Sequence, residues 1–135
     1  MDNRELILRA IAAREKAYVP YSGFAVGAAL LAKNGEVFLG CNIENAAYSP
    51  TNCAERTAFF KAVSEGVREF EKIAVVGGKA GAPPKEFCAP CGVCRQVMAE
   101  FCDAESFVIV LGNEEKQEAY LLKDLLPKSF GPQDL

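Results

Sequence analysis

The stretch Ala25-Val26-Gly27-Ala28-Ala29-Leu30-Leu31-Ala32, then Lys33-Asn34-Gly35, then Glu36-Val37-Phe38-Leu39-Gly40-Cys41, decides the fold. The first run is short and apolar throughout, which reads as a strand. Asn34-Gly35 is a hairpin signal, and Glu36 to Cys41 returns as a second strand. Upstream, Arg4 to Lys16 carries Leu6, Ile7, Ala10, Ile11, Ala13 and Ala17 on one helical stripe, ended by Pro20. Downstream, Ile43 to Asn52 reads as a loop. Cys53 to Ser64 reads as a helix with Ala58, Phe59 and Ala62 facing a core, closed by Gly66. Lys72 to Gly77 is then a short buried strand, Lys79 to Pro90 a loop, Cys91 to Cys102 a helix, Ser106 to Leu111 a strand and Leu121 to Leu126 a short helix. A hairpin followed by alternating helices and strands predicts an α/β fold, a three-layer α/β/α sandwich with a mixed sheet, in a single domain spanning residues 1–135.

The 135 residues suffice for a real core, and 50% hydrophobic with 24% charged is ordinary globular composition. A formal net charge of -3 argues against a protein that coats nucleic acid or anionic lipid. No apolar run approaches a membrane span, and Met1-Asp2-Asn3-Arg4-Glu5 leads into no signal-like core, so the expected compartment is the cytoplasm. In a reducing compartment, the 6 cysteines argue for metal binding or buried thiols over disulfides. The chain has no histidine, which excludes Ser-His-Asp triads, Cys-His proteases and HExxH metalloproteases. Any metal must rest on sulfur or oxygen, and thiolates favour zinc, copper(I) or iron-sulfur.

The chemistry concentrates in Cys53-Ala54-Glu55 and in Pro90-Cys91-Gly92-Val93-Cys94. Cys91 and Cys94 at a helix start lie on one face and can pinch one ion, and Cys53 opens another helix. Three thiolates leave zinc with a net negative charge, which helix N-terminal N–H groups attract. Arg56 and Arg95, in the same first turns, are placed to donate to sulfur and restore Lewis acidity. Structural zinc closes its shell with four protein ligands, whereas catalytic zinc keeps three and leaves room for water. Glu55, two positions past a ligand, is the candidate proton carrier beside that water. A bland alternative is a first-turn glutamate that offsets the helix dipole. The CxxC alone would equally suit a redox dithiol or a structural clip. Two rival readings use Cys88. A C-x2-C-x2-C iron-sulfur run needs a fourth cysteine where Met98 stands. A closed zinc site of Cys53, Cys88, Cys91 and Cys94 leaves Glu55 without a role. Cys41 and Cys102, in apolar surroundings, read as core thiols.

Cys53-Ala54-Glu55-Arg56-Thr57-Ala58 and Pro90-Cys91-Gly92-Val93-Cys94-Arg95-Gln96 resemble the small homotetrameric zinc-dependent cytidine deaminases. The likeness extends over Tyr18 to Leu30, Gly40 to Ser49 and Leu125-Leu126-Pro127. It implies one Zn²⁺ per subunit, held by Cys53, Cys91 and Cys94, with Glu55 catalytic. It also implies a base resting against Phe24, a ribose 3'-hydroxyl held by Asn42 and Glu44, and a base carbonyl on the Ala54 N–H. Tyr48 and Phe130 would reach active sites of neighbouring subunits, and Arg56, helped by Gln96, would tune the thiolate charge. Taken singly, Phe24 reads as core, Asn42 and Glu44 as a solvated loop, and Phe130 as a docked tail. The implied reaction is hydrolysis of cytidine and deoxycytidine to uridine and deoxyuridine with release of ammonia, in pyrimidine salvage. The partner is a small nucleoside, with no nucleic acid or membrane partner. Another cytosine-bearing compound, or a non-catalytic zinc or thiol module, are the alternatives. Two departures stand out: the loop Lys79 to Pro90 is longer than usual and carries Cys88, and Ala89 stands where Ser or Thr often precedes Pro-Cys-Gly.

Overall fold

The computed structural model describes residues 1–135. The apolar run becomes β1 (Phe24–Ala32), and β2 (Val37–Cys41) returns antiparallel to it with Leu31 opposite Val37. Within the turn between them only Gly35 takes up a positive φ, at 94°, and its N–H donates to the Ala32 carbonyl. β3 (Phe70–Lys79) pairs antiparallel with the other side of β1 along its whole length, β4 (Val108–Gly112) parallel with β3, and β5 (Gln117–Leu121) antiparallel with β4. The mixed sheet therefore has the order β2-β1-β3-β4-β5.

Helices cover both faces. α1 (Asn3–Ala13) is capped by the Asp2 carboxylate, which accepts from the Glu5 N–H at 2.8 Å. It seats Leu6, Ile7 and Ala10 on Ala29, Leu31, Ala74, Val76 and Val110. The opposite face packs α2 (Ala54–Ser64) and α3 (Gly92–Phe101) onto Ala28, Leu30, Ile73, Val75, Ile109 and Leu111. Here Phe59 meets Phe70 edge-on at 5.0 Å and stacks with Phe101 at 6.3 Å. Alternate residues of β1 thus enter different cores, which is why that strand is apolar without alternation. The expected three-layer α/β/α sandwich is the observed one.

β4 runs from Val108 to Gly112 rather than Ser106 to Leu111, and β3 and β5 also differ from the sequence expectation. β3 runs from Phe70 to Lys79 rather than Lys72 to Gly77, because β1 offers ladder partners along that full length. β5 had no expected counterpart. It is a partly exposed edge strand carrying Gln117, Glu118 and Tyr120, so its polarity hides it. The short α4 (Leu122–Leu125) follows it directly.

Topology places the site. β2 and β3 both run antiparallel to β1, so they point the same way. α2 follows β2 and α3 follows β3 in chain order, so both helices begin at the same end of the sheet, where β1 starts with Phe24. Gly40 lets α2 come down on β2. A Cβ there would lie 2.3 Å from the Ala54 carbonyl oxygen and 2.7 Å from the Ala58 nitrogen, both backbone atoms. Gly40→Ala is therefore expected to cost about 1–3 kcal/mol of stability and to lower metal content as the Cys53 turn is displaced. Thermal melts and metal analysis check this.

Candidate active site

Cys53 and Cys91 are the N-cap residues of α2 and α3, both in extended backbone, and neither side chain caps its own helix. Their sulfurs are left to each other, with Sγ to Sγ at 3.7 Å. Cys94, one turn into α3 and 1% exposed, completes a trio whose sulfurs all lie within 4.8 Å of one another. A tetrahedral zinc with ~2.3 Å bonds separates its sulfurs by about 3.8 Å, so the donor set fits that ion. Cys88 is not part of the trio. It packs against Gly77, where a Cβ would meet its Sγ at 2.8 Å and Phe24 Cε1 at 2.9 Å. Burial pushes the Cys88 thiol up to about 11, so it stays protonated. Neither the iron-sulfur run nor the closed four-cysteine site has the geometry it needs.

The three sulfurs share charge unequally. The Cys53 thiol is pulled down to about 5, first by a hydrogen bond from Cys94, against burial, and with help from Arg56. Cys94 is pushed up by that same hydrogen bond and by burial. Arg56 Nη2 donates to Cys53 Sγ at 3.3 Å. Burial opposes the Arg56 charge, but Cys53 and Cys94 outweigh it and raise its pKa. Its Nε is the one buried side-chain polar atom without a partner. Arg95 does not join it: Nε donates to the Pro90 carbonyl at 2.8 Å and Nη1 to Leu125 at 2.8 Å, tying α3 to α4. That corrects the expectation of two arginines on sulfur. Gln96 likewise makes no hydrogen bond to a cysteine; its Nε2 donates to the Phe130 carbonyl at 2.8 Å.

Glu55, in the first turn of α2, is 4% exposed. Burial, reinforced by the negative Cys53, pushes its carboxyl up to about 7. A carboxyl that titrates near neutrality beside a cysteine cluster can both take and give a proton. The Ala54 N–H, at the first helical position, has no intrahelical acceptor and is free for a ligand.

The remaining expected residues lie at the same end of the sheet. Phe24 opens β1 and is half-exposed. Asn42 bridges back to β1: its Oδ1 accepts from the Val26 N–H and its Nδ2 donates to the Phe24 carbonyl, both at 2.9 Å. The Glu44 carboxylate accepts from the Tyr21 and Ser22 N–H groups at 3.1 Å each and from the Ser22 hydroxyl. The hydroxyl bond leads in holding its carboxyl below the usual range. Tyr21, Ser22, Glu44, Tyr48 and Thr51 line an open cleft of about 370 Å³. Tyr48 stands 75% exposed with φ 61°, a left-handed backbone that a bulky residue adopts at some strain. Phe130, 60% exposed, sits on the C-terminal tail held by Gln96.

Sequence reasoning missed Ser22, Thr57 and Arg14. The Thr57 hydroxyl is bonded to the Cys41 and Cys53 carbonyls at 3.0 and 3.1 Å, pinning the start of α2 to the end of β2. Pro20-Tyr21-Ser22-Gly23 was a legible turn, and a serine inside it was a signal for a side-chain hydrogen bond.

This geometry agrees with comparison to known proteins. Residues 1–111 match the family model for the cytidine and deoxycytidylate deaminase zinc-binding region. The chain belongs to this deaminase family. A cytidine deaminase of Sporosarcina psychrophila is 53% identical over 135 residues, 100% of this chain and 96% of that protein. One from Halalkalibacterium halodurans is also 53% identical, over 100% of this chain and 98% of that protein. The crystal structure of the Burkholderia pseudomallei cytidine deaminase superposes with a TM-score of 0.85 at 50% identity, covering 96% of this chain and 100% of that one. The deaminase fold is shared over almost the full length, and its zinc-binding region includes the three cysteines. No helix of the chain is long and apolar enough to cross a membrane.

Proposed function

We propose that this chain hydrolyses the 4-amino group of cytidine and deoxycytidine, giving uridine or deoxyuridine and ammonia, as a single catalytic domain in cytoplasmic pyrimidine salvage. One observation carries the reading: a buried carboxyl, Glu55, stands in the first turn of a helix whose N-cap Cys53 shares a cluster with Cys91 and Cys94. One Zn²⁺ per subunit, held by those three sulfurs, would supply the Lewis acidity that makes water nucleophilic at neutral pH. Glu55 takes a proton from a water and gives it to ring N3 as the water oxygen bonds to C4; it then takes the proton of the new C4 hydroxyl and gives it to the amine, which leaves as ammonia while the C4 carbonyl forms. The Phe24 ring supports the base and the free Ala54 N–H takes its carbonyl oxygen. Asn42 and Glu44 read the ribose 3'-hydroxyl. Glu44 is prepared for this by Ser22 and Tyr21, which hold it ionised and oriented.

Tyr48 and Phe130 are large, exposed and unpartnered within the chain, as suits residues that complete a neighbour's site in a homotetramer. Gln96 then acts by fixing the backbone beneath Phe130 rather than through sulfur. The Arg56 guanidinium offsets thiolate charge. Arg56→Ala is expected to lower kcat about tenfold or more while zinc content falls less. An unchanged kcat in a fully loaded variant removes Arg56 from this role. The function itself is tested by following absorbance loss with cytidine, with and without a chelator, alongside sedimentation. A zinc-loaded oligomer inert toward cytidine and deoxycytidine overturns the reading.

A further inference from the structure

Only two charged side chains are buried, Glu55 and Arg14, and the reaction above has no use for the second. Arg14 follows α1 in a short 3-10 turn, Arg14–Lys16. Its guanidinium meets no carboxylate; the ion pairs of the chain are Arg4–Glu114 and Lys123–Glu105, both exposed. It meets carbonyls instead. Nε donates to Ala25 at 2.9 Å, Nη1 to Ala82 at 3.1 Å, and Nη2 to Gly78 at 3.0 Å and Lys79 at 3.1 Å. A buried cation without a counter-ion is costly, and a neutral side chain would fill the space at less cost. What the guanidinium does that no aliphatic residue can do is hold three separate backbone segments at fixed spacing with a planar fork of donors.

Those segments converge on the base-binding end of the site. Ala25 follows Phe24, and Phe24 pairs with Lys79 at the last rung of the β1–β3 ladder. Beyond that rung the backbone link is a single bond, from the Ala80 N–H to the Gly23 carbonyl at 2.8 Å. Gly77 touches both the Phe24 ring and Cys88, and the loop that starts past Lys79 leads through Ala82 and Cys88 to Cys91. Gly27 makes the arrangement possible. A Cβ there would lie 2.0 Å from the Ala10 carbonyl oxygen, 2.8 Å from Arg14 N and 2.9 Å from Arg14 Cγ.

We propose that Arg14 is a positioning residue for nucleoside binding: its carbonyl contacts fix the start of β1 and the Lys79-to-Pro90 loop, and so set the place of the Phe24 ring. This rests on the reading of Phe24 as the support for the base. The test compares wild type, Arg14→Lys, Arg14→Met and the packing control Ile7→Val. Ile7 is buried on α1 in the core with Ala29, Leu31, Ala74, Val76 and Val110. Lysine keeps the charge but cannot span three segments. In Arg14→Lys, KM for cytidine is expected to rise about tenfold, with kcat within about threefold and zinc per chain unchanged. Amide exchange should quicken over residues 78–88 and not in α2 or β4. Arg14→Met should show the same pattern more strongly, and if it fails to fold the lysine variant decides. An unchanged KM in Arg14→Lys overturns the proposal. So does an equal rise in Ile7→Val, or exchange that quickens uniformly. Should wild type be inactive on cytidine, the functional reading fails instead, and the exchange pattern still decides whether Arg14 holds these segments.

Discussion

Glu55→Gln is expected to keep one zinc per chain and to lose turnover of cytidine by a factor of ~10² or more. The substitution is nearly isosteric, so the packing of the first turn of α2 is retained, and the cysteine cluster keeps all its sulfurs. What disappears is the ability to carry one proton from water to N3 and a second from the new C4 hydroxyl to the leaving amine. The buried setting of Glu55 supplies a second readout. In the metal-free chain its carboxyl titrates at about 7 against an ordinary 4.5. Folding therefore favours the protonated form. The stability this gives is fully present below about pH 4.5 and is lost as pH rises through 7. Glu55→Gln should flatten that part of the pH–stability curve of the apoprotein while abolishing activity of the loaded one. Wild-type kcat in a fully loaded Glu55→Gln variant would remove Glu55 from the chemistry.

How far the sequence reveals this molecule depends on where each residue's partners lie. β1 is legible because both of its faces are buried, so eight consecutive positions, Ala25 to Ala32, have to be small or apolar. β5 is not legible, because an edge strand with half-exposed Gln117 and Glu118 needs only ladder bonds to β4. The pairing of Cys91 with Cys94 is written in their spacing. Their meeting with Cys53 is not; it follows from β2 and β3 pointing the same way on either side of β1. Arg95 and Gln96 show the limit of reasoning by proximity. Both follow Cys94 directly, yet one serves the Pro90 and Leu125 carbonyls and the other the Phe130 carbonyl. Arg14 is the extreme case. An arginine at the end of an amphipathic helix reads as solvated, and only the approach allowed by Gly27 turns it inward.

Replacing Cys53, Cys91 or Cys94 by Ala should each reduce zinc from one per chain to near zero and abolish activity in parallel, whereas Cys88→Ala should do neither. The cluster has no spare donor. Cys88 lies against Gly77 and Phe24, and burial keeps its thiol protonated to about 11, so it does not substitute for a lost thiolate. Stability gives a measure independent of activity. A ligand that binds only the folded chain stabilises it by about 2.7 kcal/mol at a hundredfold excess over Kd, so wild type and Cys88→Ala should gain Tm with zinc while the three ligand variants should not. The variants should also separate from one another without metal. Cys53→Ala removes the sulfur that Arg56 Nη2 donates to and leaves that half-buried guanidinium with Cys94 alone among the sulfurs, so its apoprotein should be the least stable of the three. Cys91→Ala removes a sulfur in the exposed part of the cluster and should leave the apoprotein nearly as stable as wild type. Zinc retained in any of the three, or lost in Cys88→Ala, would show that a different set of sulfurs holds the metal. The water position beside Glu55 would then have to be reassigned, because a fourth thiolate would occupy it.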